Sequence, residues 1–267
     1  MRSIFRLGLS LAILAGSLSV AAAQSTEEAI APKSVAWSFN GVFGAYDKAS
    51  LQRGFQVYKE VCSACHSLNL VSFHSLAEPG GPGFTDAEMK AIAAAYKIPA
   101  EPNDKGDLFD ANGNRLTRPG APAGHFPPPF ANEQAARAAN NGALPPDQSV
   151  LVKARAGGPD YIYSICSGFG ETPPAGFKVM PGKFYNPYFA GWNSSMPPPL
   201  QDNSVTYSDG TKATVDQECR DVTTFLTWAS EPNLDERHHL GFEVIAFLVL
   251  MSGLLYLSYR KVWRDAH

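Results

Sequence analysis

Cys62-Ser63-Ala64-Cys65-His66 constrains this chain more than any other stretch. The spacing C-x-x-C-H is the attachment signature of c-type haem. Two thiols reach neighbouring vinyl groups of the porphyrin, and the next residue turns back towards the iron. Zinc would require a second ligand pair at similar spacing, and the sequence has none. A redox dithiol would have no use for His66. The motif predicts one covalent haem c with His66 as an axial ligand, and a fold that encloses it.

Both ends of the chain bear on where that fold sits. Arg2 and Arg6 precede an apolar run from Leu7 to Val20, and Ala21-Ala22-Ala23 offers a cleavage site. This pattern predicts a secretory signal peptide over residues 1–23. Export agrees with haem c, which is attached outside the cytoplasm. Towards the other end, Leu240 to Tyr259 is almost wholly apolar. At about 1.5 Å per residue such a run crosses the roughly 30 Å hydrocarbon layer of a bilayer. Arg260, Lys261 and Arg264 follow it directly. The positive-inside rule places this tail in the cytoplasm and the preceding domain in the periplasm. The expected organisation is a signal peptide (1–23), a periplasmic haem domain (24–236), a hinge with a single-pass helix of the inner membrane (237–259), and a cytoplasmic tail (260–267). The formal net charge of −3 gives no sign of nucleic-acid binding.

The expected fold class is mainly α, a cytochrome c-type haem domain with long irregular loops and one C-terminal transmembrane helix. Leu51, Phe55, Tyr58 and Val61 keep helical spacing after a possible cap at Asp47 or Ser50, and this helix runs into the haem motif. Thr85 and Glu88 form a capping-box pattern before a helix with Met89, Ile92 and Tyr96 on one face. Residues 101–130 read as loop. Asn132 can cap a short helix from Glu133 to Asn140, closed by Gly142, and another helix is expected around 160–166. Residues 205–207 and 212–214 predict a hairpin turned by Ser208-Asp209-Gly210. The last soluble helix starts at Thr214, in a capping box with Gln217. Its stripe is Val215, Cys219, Val222, Leu226 and Ala229. Pro232 stops it, and a polar hinge over 233–239 leads to the span.

The iron's second axial ligand is open at this level. His74 lies only eight residues beyond His66, too near to cross to the opposite face, whereas His125 sits in a Pro-rich loop as a bis-His alternative. Met89 reads as core packing. Met180 (Val179-Met180-Pro181) and Met196 (Ser195-Met196-Pro197-Pro198-Pro199) both sit in stiff loops. Three consecutive prolines favour Met196, and methionine is the usual high-potential ligand.

Several strings go further. Arg53-Gly54-Phe55-Gln56-Val57-Tyr58 precedes the motif, and Ala135-Ala136-Arg137-Ala138-Ala139-Asn140-Asn141-Gly142-Ala143-Leu144-Pro145-Pro146-Asp147 follows it. Tyr185-Asn186-Pro187-Tyr188-Phe189, Met196-Pro197-Pro198-Pro199-Leu200 and Asp221-Val222-Thr223-Thr224-Phe225-Leu226 come next, in the same order as in a known family. With these the chain resembles the cytochrome c1 family, the haem subunits of quinol–cytochrome c reductase (the cytochrome bc1 complex). The resemblance implies His66 and Met196 as the axial pair, Cys62 and Cys65 as thioether links, and Arg137 as a haem-propionate partner. It implies Asn132, Pro145 and Pro146 as pocket-lining residues. It also implies a dimeric complex with a cytochrome b subunit and a Rieske iron–sulfur protein, passing electrons to a soluble or tethered cytochrome c. A cytochrome c subunit of a terminal oxidase, or a haem enzyme with an open iron position, is the alternative.

Cys166 and Cys219 remain. Export permits a disulfide, but their apolar surroundings make two buried free thiols the simpler expectation. Acidic residues between Glu78 and Asp110 could steer a basic partner, or form only a solvated loop.

Overall fold

The computed structural model describes residues 28–264, so the signal-peptide expectation lies outside the described residues. Six α-helices and two short antiparallel ribbons make up the regular structure among these residues, a mainly helical fold. Two helices form its centre. α1 (Lys48–Glu60) starts at Asp47, whose carboxylate accepts the N–H groups of Ala49 and Ser50. α5 (Val215–Ser230) starts at Thr214, whose hydroxyl accepts the Gln217 N–H at 3.2 Å. The reciprocal half of the expected capping box is not formed. Gln217 turns its amide to Asp221 at 3.0 Å instead, helping to satisfy a carboxylate with no solvent exposure.

The crossing of α1 and α5 depends on Gly54. A Cβ there would lie 2.0 Å from the Asp221 carbonyl oxygen and 2.7 Å from Phe225 Cβ. The neighbouring Arg53 grips Asp221 through Nε at 2.8 Å and Nη2 at 3.1 Å, and the Ser50 hydroxyl donates to the same carboxylate. The Asp221 carboxylate is buried and fully hydrogen-bonded, the condition under which buried charge is tolerated, while the half-buried Arg53 also donates to Asp209 at 2.8 Å. Around it Phe55, Tyr58, Phe126, Phe225 and Trp228 pack ring against ring at 5.5–6.1 Å.

The other elements wrap this pair. α2 (Asp86–Ala95) has the expected capping box, with Thr85 and Glu88 bonded in both directions, and buries Met89. β1 (Lys97–Pro99) pairs with β2 (Thr117–Pro119). The loop expected over 101–130 therefore holds a strand, too short at three residues to show a period-2 pattern. α3 (Glu133–Ala139) is capped by Asn132, and α4 (Gly158–Ser167) lies against α5. β3 (Phe184–Tyr185) and β4 (Asn193–Ser194) form the second ribbon.

Three further expectations are corrected. The hairpin over 205–214 does not form. Its turn exists, with Gly210 N–H donating to Tyr207 O at 3.3 Å, but Val205 N–H goes to the Glu218 carboxylate at 3.1 Å and Thr214 N–H turns back to Lys212 O at 3.0 Å. These two donors are lost to strand pairing. The hinge over 233–239 is helical, because α6 runs unbroken from Leu234 to Trp263. Asp235 and Glu236 in its first turn suit the positive end of the helix dipole. α6 is long and apolar enough to cross a membrane.

The third correction is covalent. Cys166 and Cys219 form a disulfide between α4 and α5, with Cα atoms 5.7 Å apart. Cys219 on its apolar stripe faces α4, a pairing that no local pattern indicates. Replacing both residues with serine should lower unfolding stability by about 2–4 kcal/mol, since the bridge closes a long loop of the unfolded chain. Thermal melts of the full chain with and without the double substitution measure this, and equal midpoints would remove the stapling role.

Candidate functional site

At the end of α1 the backbone tightens into a 3₁₀ turn, Cys62–Ala64. Cys65 N–H donates to Cys62 O at 3.1 Å, and His66 N–H donates to the same oxygen at 2.9 Å. The turn brings Cys62, Cys65 and His66 to one cavity of about 400 Å³, within the roughly 300–1,000 Å³ typical of ligand sites. Pro145 and Pro146 form a second wall, α4 and α5 contribute Ile165 and Leu226, and Met196 enters from the segment after β4. Cys62 and Cys65 are free thiols, while the other two cysteines are bridged. Burial pushes the Cys62 thiol up to about 12, so it is neutral at ordinary pH.

His66 is fixed in one tautomer. Its Nδ1 lies 2.8 Å from the Pro146 carbonyl oxygen, which can only accept, so Nδ1 carries the proton and Nε2 keeps a free lone pair. Burial lowers the imidazole pKa, opposed by the Pro146 carbonyl and the Asp147 charge. The strand of chain after Pro146 is pinned to the one after His66. Gln148 N–H donates to Ser67 O at 2.9 Å, Asn69 N–H to Asp147 at 2.9 Å, and Leu70 N–H to the Ser149 hydroxyl at 3.0 Å. The Asp147 carboxylate also accepts Ser149 N–H at 2.8 Å.

Burial works to raise the Asp147 pKa, but the Asn69 N–H, the Ser149 and Ser67 hydroxyls and the Ser149 N–H outweigh it and hold the group below the usual range. A lowered folded pKa means stability that is complete above the unfolded value near 3.9 and is lost as pH falls through the folded one. Asp147→Asn should therefore cost about 1 kcal/mol at neutral pH, the worth of a lost charge-assisted bond, and progressively less as pH falls through the folded pKa. Melting midpoints of both proteins across pH test this; a difference that persists in acid would exclude the carboxylate.

Met196 is held by Ser194, which is buried. Its hydroxyl accepts Met196 N–H at 3.1 Å and donates to Met196 O at 3.3 Å. The competing ligands lie elsewhere. Met180 is 55 % exposed, and neither it nor the exposed His125 lines the cavity. Asn132 and Arg137 are also off the lining. Asn132 caps α3 through Ala135 N–H at 2.8 Å, and Arg137 donates to Gly142 O at 3.2 Å, behind the wall that continues into Leu144 and Pro145. The guanidinium on the lining is Arg155, which sequence reasoning missed. Its signal was faint, one of two cations, with Lys153, in the segment leading to α4.

Two free thiols beside a histidine whose Nε2 is available, a thioether sulfur on the same cavity and apolar helical walls make a donor set that fits haem. The model of the cytochrome C1 family matches residues 37–266. This chain belongs to the cytochrome c1 family. It is 45 % identical over 259 residues to cytochrome c1 of Rhodospirillum rubrum, covering 91 % of this chain and 92 % of that one. It is 45 % identical over 242 residues to the cytochrome b-c1 complex catalytic subunit, mitochondrial, of Candida albicans, covering 91 % and 80 %. With cytochrome b/c1 of Bradyrhizobium diazoefficiens it shares 46 % identity over 276 residues, which is 96 % of this chain but 39 % of that protein's length. Membership of the cytochrome c1 family implies a haem cofactor.

Proposed function

We propose that this chain is the membrane-anchored haem subunit of a cytochrome bc1 complex, taking single electrons from a Rieske iron–sulfur protein and passing them to a soluble or tethered cytochrome c. The observation that carries the reading is the pairing of His66 and Met196 on one cavity. The names of two relatives, cytochrome b/c1 and cytochrome b-c1 complex catalytic subunit, support the complex and a cytochrome b partner.

One haem c, bound here, supplies a one-electron ferric/ferrous couple. Cys62 and Cys65 would hold it by thioethers. His66, its ring fixed by Pro146 O, would offer Nε2 to the iron, and Met196 would offer its sulfur. An iron held by both side chains would leave no position for a substrate, which favours electron transfer over an open-iron enzyme. The apolar walls exclude water, a lever that tunes potential. Arg155 would take one propionate, as a guanidinium fork matches a carboxylate. Arg137, nominated by the resemblance, is the candidate for the other, with Nη1 donating to Gly142 O at 3.2 Å as Arg155 Nη1 does to Ala154 O at 3.0 Å. The signal peptide, the periplasmic haem domain, the C-terminus in the cytoplasm and the dimeric complex belong to the same proposal, supported by the basic cluster after α6.

The test is purification of the tagged full-length chain from membranes in mild detergent. Cytochrome b and a Rieske protein should accompany it, and quinol should reduce its haem only while the Rieske protein is present. Recovery with oxidase subunits instead, or ready carbon monoxide binding by the reduced protein, would replace this reading with its alternatives.

A further inference from the structure

The segment before α1 carries apolar side chains that the fold does not use. Residues 36–46 contain no charged side chain. Along it Val35, Trp37 and Phe39 point inward and are buried, as is Tyr46. Trp37 stacks on Phe39 at 5.5 Å, and Phe39 meets Tyr46 at 5.3 Å. Between these anchors the chain leaves the core, with Val42 67 % and Phe43 82 % exposed.

A tight turn imposes this exposure. Asn40 N–H donates to Trp37 O at 3.2 Å, Gly44 N–H to Gly41 O at 3.2 Å and Ala45 N–H to Ser38 O at 3.1 Å. A Cβ on Gly44 would lie 2.3 Å from the Phe39 carbonyl carbon, so no other residue fits without opening the turn. The tip is therefore presented outward on a fixed backbone.

It is also tied to the head of α6. His238 Nδ1 donates to Gly44 O at 2.7 Å, and Tyr46 N–H donates to the Asp235 carboxylate at 3.1 Å. The Tyr46 hydroxyl donates to Glu231 O at 3.1 Å. The Phe43 ring lies 6.1 Å from that of Phe242. Phe242 stands two residues beyond Leu240, where the apolar run begins, or about 3 Å further along the helix. The tip thus sits level with the point where α6 becomes apolar.

We infer that Val42 and Phe43 are a second membrane contact, a rigid wedge set into the boundary between lipid headgroups and acyl chains beside α6. The inference rests on the reading of α6 as a membrane span. The occupant is lipid and not a protein subunit for two reasons. The tip is continuous with the exposed apolar surface of α6 through the Phe43–Phe242 contact. Two side chains also fall far short of the roughly 800 Å² per partner that a stable protein interface buries, whereas insertion into lipid needs only apolar area.

The experiment places the photoreactive residue p-benzoylphenylalanine at position 43 of the full-length, haem-loaded chain in phosphatidylcholine nanodiscs. Position 248, within α6, and position 111, in the loop between the first two strands, carry the same residue in parallel samples. Irradiation and peptide mass spectrometry then read phospholipid adducts. The wedge predicts adducts at 43 comparable to those at 248 and roughly tenfold above those at 111, as expected for an apolar group at the acyl boundary. Lipid adducts at 248 but none at 43 would overturn the wedge and leave the span intact. No lipid adducts at either 248 or 43 would overturn both. Repeating the irradiation in native membranes separates the remaining occupant, because cross-links from 43 to another subunit in place of lipid would also overturn the wedge. Val42 labelled in the same way gives an independent readout should position 43 disturb the turn.

Discussion

Replacing Met196 with leucine should lower the haem reduction potential by on the order of 100 mV or more, within the ~0.8 V over which axial ligands set haem potentials. Leucine keeps nearly the same volume and removes the sulfur, so the packing beside the Ser194 hydroxyl changes little. The same variant should lose the far-red charge-transfer band of a methionine-ligated iron, and its reduced form should bind carbon monoxide. Met180→Leu is the matched control, since Met180 is 55 % exposed and off the cavity lining. An unchanged potential in the Met196 variant would pass the ligand to another side chain and undo the closed-iron argument.

Gly54→Ala should destabilise the protein by about 2 kcal/mol net, an overpacking cost of about 3 kcal/mol less a gain in helix propensity. Alanine gains about 1 kcal/mol of helix propensity over glycine. Against this, its Cβ would stand 2.0 Å from the Asp221 carbonyl oxygen. Backbone cannot swing aside as a flexible side chain can, so α1 and α5 must separate and the Arg53–Asp221 bonds at 2.8 and 3.1 Å must stretch. A net loss of about 2 kcal/mol corresponds to a melting midpoint lower by roughly 4–8 °C for a domain of this size. Because α1 leads directly into Cys62, the yield of haem-loaded protein should fall with it. A midpoint equal to that of the parent protein would mean that the two helices do not meet at this glycine.

The helices were legible because their determinants are local. Asp47, Thr85, Asn132 and Thr214 each sit one residue before a helix and each accepts a backbone N–H of its first turn. The long-range pairings were not legible. Nothing local says that Cys219 faces Cys166 across 53 residues, or that Pro146 lends its carbonyl to His66 across 80. The hairpin at 205–214 failed for a related reason. Its turn chemistry was right, but the Glu218 carboxylate claimed the Val205 N–H and Lys212 O the Thr214 N–H. At the site, Cys62, Cys65, His66 and Met196 share one cavity, as the motif and the proline frame implied; of the residues named only by the resemblance, Pro145 and Pro146 line it and Asn132 and Arg137 do not. Arg155 escaped notice because a single arginine has no pattern until the helices close around it.

The unbroken start of α6 has a kinetic meaning. Its first turn is bonded to the haem domain through Asp235 and His238, and Arg237 pairs with Glu231 at 2.5 Å. With α6 in a bilayer as proposed, the domain has no swivel between itself and the membrane. The haem then behaves as a stator. Electron exchange falls off steeply with distance, and a fixed station cannot shorten its own gaps. On the proposed electron-transfer role, donor and acceptor must each travel to it.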